Sequence, residues 1–367
     1  MVAQTTDGRA TLESVAVRAR VSRQTVSNAL HRPQVLSPDT LVRVRRAIDE
    51  LGYRPNRNAQ SLRTGESRLI GLRVDPVQTP SGGVLDRFLH ALAEGSREHG
   101  YQLLVFAPQA PQDELSGYRD LLTTMTVDAF VLTNTHQDDP RLAFLAERGT
   151  PVVSFGRPWG AEDDHHWVDV DGAAGTRGAV DHLVGQGHRR IAFLGWPSGS
   201  DVGEDRRSGW ASGLRHHGLD QGPEATAAED LDQARTAAHS LLASSADRPT
   251  AVVCASDVLA VGVLHALRRL GLRAGGDVAV TGFDDSPAAS LIDPALSSVR
   301  QPLEQVAAQV VRVLGALLPG RPAPRPRAPS GVLVPPRLVV RDSSLAIARA
   351  TAPPVRSQAP HHTEEIA

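Results

Sequence analysis

The chain has 367 residues, 41% hydrophobic and 22% charged, with a net charge of −2. That length allows two or three domains with their own cores, and no apolar run of about 18 residues is present, so no membrane-spanning helix is expected. A start without a basic patch and apolar core predicts no secretory leader; a lone cysteine, Cys254, excludes an internal disulfide and fits a reducing compartment, as a buried small hydrophobe. Every basic residue is Arg, and the charge is segregated: residues 1–68 balance at +6, the remainder at −8. A small cationic head on an acidic body points to a polyanion as partner of the head alone.

Three short helices are predicted in the head, residues 1–54. Leu12, Val15, Ala16 and Ala19 keep helical spacing behind Thr11 as N-cap. After a tight break at Arg20-Val21-Ser22, the stretch VSRQTVSNAL starts a second helix, with Ser22 as N-cap and Val21 and Val26 as a hydrophobic staple. Ser37-Pro38 opens the third, which runs through Leu41, Val44, Ile48 and Leu51 to Gly52. Two short helices joined by a tight turn and braced by a third describe a helix-turn-helix. Its second helix puts Arg23, Gln24, Ser27 and Asn28 on one side and Val26, Ala29 and Leu30 on the other. A helix entering a major groove needs such a face: Arg reaches guanine edges, and Gln and Asn amides pair with adenine. Ser22, Thr25 and Ser27 suit phosphate contacts, and Thr11 is placed with them in the DNA-contacting set.

Residues 55–67 form a polar linker in which Leu62 is the one large apolar side chain. From Arg68 onward, apolar runs such as RLIGLRV, AFVLT, RIAFLG, AVVCAS and VAVTGF alternate with stretches of helical length. That alternation predicts parallel sheets wrapped by helices. PGRPAPRPRAPSG reads as a Pro-rich surface loop, and residues 346–367 as a disordered tail.

The stretches TLESVAVRARVSRQTVSNAL and LSPDTLVRVRRAIDELGYRPNRNAQSLRTGES resemble the DNA-binding head and hinge of the LacI/GalR family of bacterial transcription regulators. The resemblance makes Arg23, Gln24 and Asn28 the base-contacting residues. It makes the linker a hinge helix in which Leu62, with Asn56, Ala59 and Gln60 beside it, wedges into the minor groove at the operator centre. A solitary apolar residue in a polar segment agrees with that role. Four head positions depart from the family pattern: Arg20 stands for the turn glycine, Ser14 for Asp, Asn28 for a frequent Arg and His31 for Asn. They bear on which operator is read and on how the turn is built.

From RLIGLRV to RLVVRDSS the chain is similar to the family's periplasmic-binding-protein-like body, the closest stretches being GHRRIAFLG, RRSGWASGL, VAVTGFDDSP and VLVPPRLVVR. The expected architecture is therefore multi-domain: an all-α helix-turn-helix head and an α/β two-lobe body, 68–345, with parallel sheets. The lobes are placed at about 68–169 with 300–330, and at about 170–297 with 331–345. Ligands of such sheets sit beyond the carboxyl ends of strands, which nominates Asp75, Thr133, Phe155-Gly156-Arg157, Trp196, Ser256-Asp257 and Asp284-Asp285. The resemblance adds Arg206 and Asp284 as holders of polar effector groups, with Trp159 or Trp196 stacking. N-capping or pairing between lobes is the competing role for Asp257 and Asp285. Ser256, VQTPSGGVLDRF and FGRPWG depart from the family's usual residues at positions that select the ligand.

The expectation is a cytoplasmic, nucleoid-associated homodimer repressing from a near-palindromic operator, released or recruited by a small polar effector, a sugar by preference or a nucleoside. A solute-binding protein shares the body fold but lacks a reason for the basic head. No phosphate loop, nucleophile elbow or metal-ligand spacing supports an enzyme, a cofactor or a metal site; EDDHHW and the terminal histidines read as solvated loops.

Overall fold

A computed structural model describes residues 10–54, 66–74, 83–108, 113–124, 127–318 and 331–345. The chain divides into two compact units, Met1–Arg68 and Leu69–Ala367. The hinge residues Asn56, Ala59, Gln60 and Leu62, the strand-end candidate Asp75, most of the Pro-rich loop and the tail lie outside the described residues.

The head contains α1 (Leu12–Ala19), α2 (Arg23–His31) and α3 (Pro38–Leu51). Each starts on the predicted cap. Thr11 Oγ1 accepts from Ser14 N at 3.1 Å while Ser14 Oγ accepts from Thr11 N at 2.9 Å, so Ser14 closes a capping box in the family's Asp position. Ser22 Oγ accepts from Thr25 N at 3.1 Å, and Ser37 Oγ from Thr40 N at 3.4 Å. Gly52 ends α3 at φ 59°. The core is small and built from Val15, Ala16, Ala19, Val26, Ala29, Val44 and Ala47. Short side chains let three short helices approach closely, and the staple residue Val21 packs against this cluster. Arg20 keeps the glycine turn by adopting the left-handed conformation itself, φ 53° and ψ 52°.

In the body, β1 (Leu69–Arg73), β2 (Gln102–Phe106), β3 (Ala129–Leu132), β4 (Val152–Phe155), β5 (Trp167–Val170) and β11 (Gly331–Val334) form one sheet in the order β11-β5-β4-β3-β1-β2. Every pairing in it is parallel. On one face, α4 (Val84–Glu98) and α12 (Leu303–Leu317) bury Phe88, Leu92, Val306, Val310 and Leu314 against Ile70, Leu72, Val131 and Val153. On the other, α5 (Ser116–Thr124) and α6 (Pro140–Ala146) enclose Tyr118, Phe130, Leu132, Leu142 and Leu145.

The second sheet has the order β12-β10-β9-β8-β6-β7, from β6 (Ile191–Gly195), β7 (Glu224–Thr226), β8 (Ala251–Cys254), β9 (Ala279–Asp284), β10 (Ser297–Arg300) and β12 (Arg337–Val339). It is parallel except for the antiparallel edge strand β12. Its helices are α7 (Gly172–Gly185), α8 (Asp201–His216), α9 (Leu231–Leu242), α10 (Asp257–Arg269) and the short α11 (Pro287–Leu291). β6, β8 and β9 are buried along their whole length, which is why their sequences are unbroken apolar runs rather than alternations.

One boundary differs from the sequence expectation. Residues 331–334 belong to the first lobe's sheet, not to the second lobe's 331–345 segment. β11 pairs with β5 from Gly331↔Trp167 to Val334↔Val170, and Val334 is buried in the first lobe's core. The pairing depends on Gly331, where a Cβ would stand 2.2 Å from the Trp167 ring. The chain thus passes between lobes three times among the described residues: after β5, after β10 and, through Pro335-Pro336, between β11 and β12.

Candidate functional sites: a recognition helix and an inter-lobe cleft

In the head, Val26 and Ala29 turn inward while Ser22, Arg23 and Gln24 are exposed and Thr25, Ser27 and Asn28 are half-buried. The outward groups are loosely tied. Arg23 Nη1 lies 3.6 Å from Glu13 Oε2, its side chain 69% exposed, and Gln24 Nε2 donates to Asn28 Oδ1 at 3.2 Å. Exposed pairs of this kind contribute about 1 kcal/mol or less, so base edges can replace them at little cost.

In the body, a cleft of about 270 Å³ opens between the lobes. The first lobe contributes Thr133, Asn134 and Thr135 beyond β3, Phe155 at the end of β4, and Gly156, Arg157 and Trp159 beyond it. The second contributes Val202, Asp205 and Arg206 from α8 and Phe283 from β9. Asp169 comes from β5 of the first lobe and Gln301 from the second crossing. Of the sequence-nominated residues, Thr133, Phe155, Gly156, Arg157, Trp159 and Arg206 line it; Asp257 and Asp285 do not, nor do Trp196, Ser256 and Asp284.

Those three stand behind the lining. Trp196 Nε1 and Ser256 Oγ both donate to Glu229 Oε2, at 2.5 and 2.9 Å, and Ser256 also caps α10 by accepting from Leu259 N. Asp284 accepts from Gln301 Nε2 at 2.6 Å and stands 3.7 Å from Arg206 Nη1, an ion pair without a hydrogen bond. Burial pushes the Asp284 carboxyl up to about 7, with Arg206 opposing the shift. Burial also pulls the Arg206 guanidinium below its ordinary value. That guanidinium lies over the Phe283 ring at 3.7 Å, donates Nη1 to Ala255 O, and leaves Nε without a protein partner. Trp159 Nε1 is buried and likewise unpartnered.

Arg157 joins the two walls. Its Nε donates to Asp169 Oδ2 at 3.1 Å, its Nη2 meets Asp205 Oδ1 at 2.8 Å, and the guanidinium lies 4.3 Å from the Trp159 ring. Asp205, Asp169 and Gln301 escaped the sequence reading. Asp205 sits beside the flagged Arg206, but its ion pair joins residues 48 positions apart, which no local pattern announces.

Asp257 and Asp285 take structural roles. Asp257 accepts from Ser286 N and Ser298 Oγ, with burial pushing its carboxyl up to about 6; Asp285 pairs with Arg300 and Arg341. Glu114, His136 and Asp139 bring donor atoms within 4.8 Å, but Arg141 occupies both Asp139 oxygens. Among the described residues no helix is long and apolar enough to cross a membrane.

Comparison with known proteins places both units. Residues 11–56 match the model of bacterial regulatory proteins of the lacI family, and residues 180–344 that of the periplasmic binding protein-like domain. The HTH-type transcriptional regulator CelR of Thermobifida fusca is 35% identical over 83% of this chain and 91% of its own length. A solved complex of the regulator CelR with cellobiose covers 91% of this chain and all of its own, at 32% identity and a TM-score of 0.68. The lac repressor dimer bound to operator and the anti-inducer ONPF covers 92% of this chain and all of its own, at 26% identity and a TM-score of 0.79. The chain belongs to the LacI family of DNA-binding bacterial transcription regulators, and is not an enzyme.

Proposed function

We propose that this chain is a homodimeric repressor of the cytoplasmic nucleoid whose cleft takes a small uncharged sugar. Arg23, Gln24 and Asn28 read one half of a near-palindromic operator; Thr11, Ser22, Thr25 and Ser27 hold phosphates. Leu62, with Asn56, Ala59 and Gln60, wedges the operator centre. The dimer and the sugar are argued by likeness to the lac repressor dimer on its operator and to the CelR–cellobiose complex.

The observation that carries the sugar is the pair of buried, unpartnered donors on the cleft lining, Arg206 Nε and Trp159 Nε1, set among the acceptors Asp169 and Asp205. A polyol supplies oxygens that accept from these two N–H donors and hydroxyls that donate to the two carboxylates, and its apolar ring face suits the Trp159 indole. Arg157 is neutralised by two carboxylates and Arg206 faces the Asp284 carboxylate, so the cleft offers little surplus positive charge to a phosphate group. Ligand closing the lobes would then shift the population of DNA-competent hinges, with a coupling of about 1–3 kcal/mol.

The test is calorimetric titration of the full chain with cellobiose, glucose and adenosine, followed by gel shift on a palindrome from its own upstream region. Saturable binding of a sugar that alters operator affinity is expected. Binding of adenosine alone, or binding that survives Trp159→Ala unchanged, would overturn the sugar assignment.

A further inference from the structure

A second cavity, about 680 Å³, lies at the second and third crossings between the lobes and is lined by Arg87, Arg300, Arg337 and Arg341 together with the carboxylates Asp285 and Glu304. Both carboxylates are committed: Asp285 to Arg300 and Arg341, and Glu304 to Arg87 at 3.2 Å. Four guanidiniums against two carboxylates leave a surplus of two positive charges in a concave groove. Arg337 is exposed, and it stands directly opposite Arg300 in the β10–β12 register. Like charges facing each other across a ladder destabilise it, and a sheet holding two guanidiniums there gains from an anion between them. Ser286, Ser290 and Gln305 complete the wall, the Ser290 hydroxyl being already engaged with Pro287 O at 3.0 Å.

From this geometry we infer that the groove is a binding site for a small phosphate oxyanion, either free phosphate or the phosphate group of an ester, distinct from the sugar-type cleft. Guanidinium forks match tetrahedral oxyanions through paired N–H donors. The inference does not depend on what the cleft binds. The two sites nevertheless share a backbone. Asp284 faces Arg206 and Gln301, whereas the next residue, Asp285, faces Arg300 and Arg341. Both hold positive φ, 109° and 48°. Non-glycine residues held there are strained, so the surrounding ion pairs must enforce the conformation. An oxyanion that draws Arg300 or Arg341 from Asp285 loosens that hold and is felt at Asp284, one peptide away.

The experiment titrates the full-length protein with inorganic phosphate, pyrophosphate and glucose 6-phosphate by calorimetry and thermal melting, against potassium chloride at equal ionic strength. A saturable phosphate-specific response is expected. Arg337→Gln and, separately, Arg87→Gln should weaken it about tenfold or more, while Arg273→Gln, outside the groove, leaves it unchanged. Response to inorganic phosphate identifies the free ion, and response confined to glucose 6-phosphate identifies an ester; either supports the site. No response beyond chloride, or one that Arg337→Gln and Arg87→Gln leave intact, overturns it.

Discussion

The two units use arginine in opposite ways. In the head, Arg23 stays in water with a loose partner 3.6 Å away. In the body, Arg206 is buried to 6% exposure and Arg141 is sealed against Asp139 at 2.6 Å. A solvated guanidinium exchanges water for phosphate or base at little cost, so it serves recognition of a polyanion that arrives from outside. A desolvated one is expensive to move and instead fixes the shape of a pocket and the ionisation of its neighbours. The contrast separates where each unit is vulnerable.

The largest effect is expected at Arg206. Arg206→Ala leaves Asp284 buried without its cation and should lower body stability by about 3 kcal/mol in urea melts. The loss should be larger at pH 8 than at pH 6, because a carboxyl held near pH 7 escapes the penalty by taking up a proton. A loss independent of pH would mean that Asp284 is not the group left exposed to the change. In the head, Arg23→Gln should cost about 2 kcal/mol of specific operator affinity, read by titration of labelled DNA, with no change in melting temperature. A matching loss of stability would make that arginine structural and erase the distinction between the units.

Smaller effects sharpen it. Arg20→Gly should stabilise the head by about 1 kcal/mol, since glycine enters the left-handed turn without strain. Hydrogen exchange of the α1–α2 amides measures this directly. Effector affinity should rise a few-fold as pH increases through about 7, because ionised Asp284 accepts hydrogen bonds more strongly and anchors Arg206; Asp284→Asn should flatten that profile.

How much was legible follows the same division. Everything that positions the recognition helix is local: the caps Thr11, Ser22 and Ser37, the staple, and the Gly52 stop are all visible within a few residues. Even the Arg20 substitution announced its own question, and the backbone answered by keeping the turn. The body's layered sheets were legible because buried parallel strands are unbroken apolar runs. Its site was only half legible, since Arg206 and Trp159 carry local signals but Arg157–Asp205 joins distant elements. Trp196 and Ser256 were misplaced by one layer because a strand end marks the mouth of a cleft without saying which side chain reaches it. The assignment of β11 escaped altogether: it rests on Gly331 fitting beneath Trp167, a steric fact with no periodicity.

The crossings described above carry a mechanical consequence. The third consists of Pro335-Pro336, two residues whose rings fix φ, and the second enters α12 through Pro302. Both joints are stiff pins. The first runs through Asp171-Gly172, and there a Cβ would come within 2.7 Å of Asp205 Oδ2. That corner is held as well, because Asp171 caps α7 by accepting from Ala174 N at 2.8 Å and Ala173 N donates to Asp205 Oδ2 at 3.0 Å, so a change of angle between the lobes is shared among three stiff joints, as along a piano hinge, rather than swung at one.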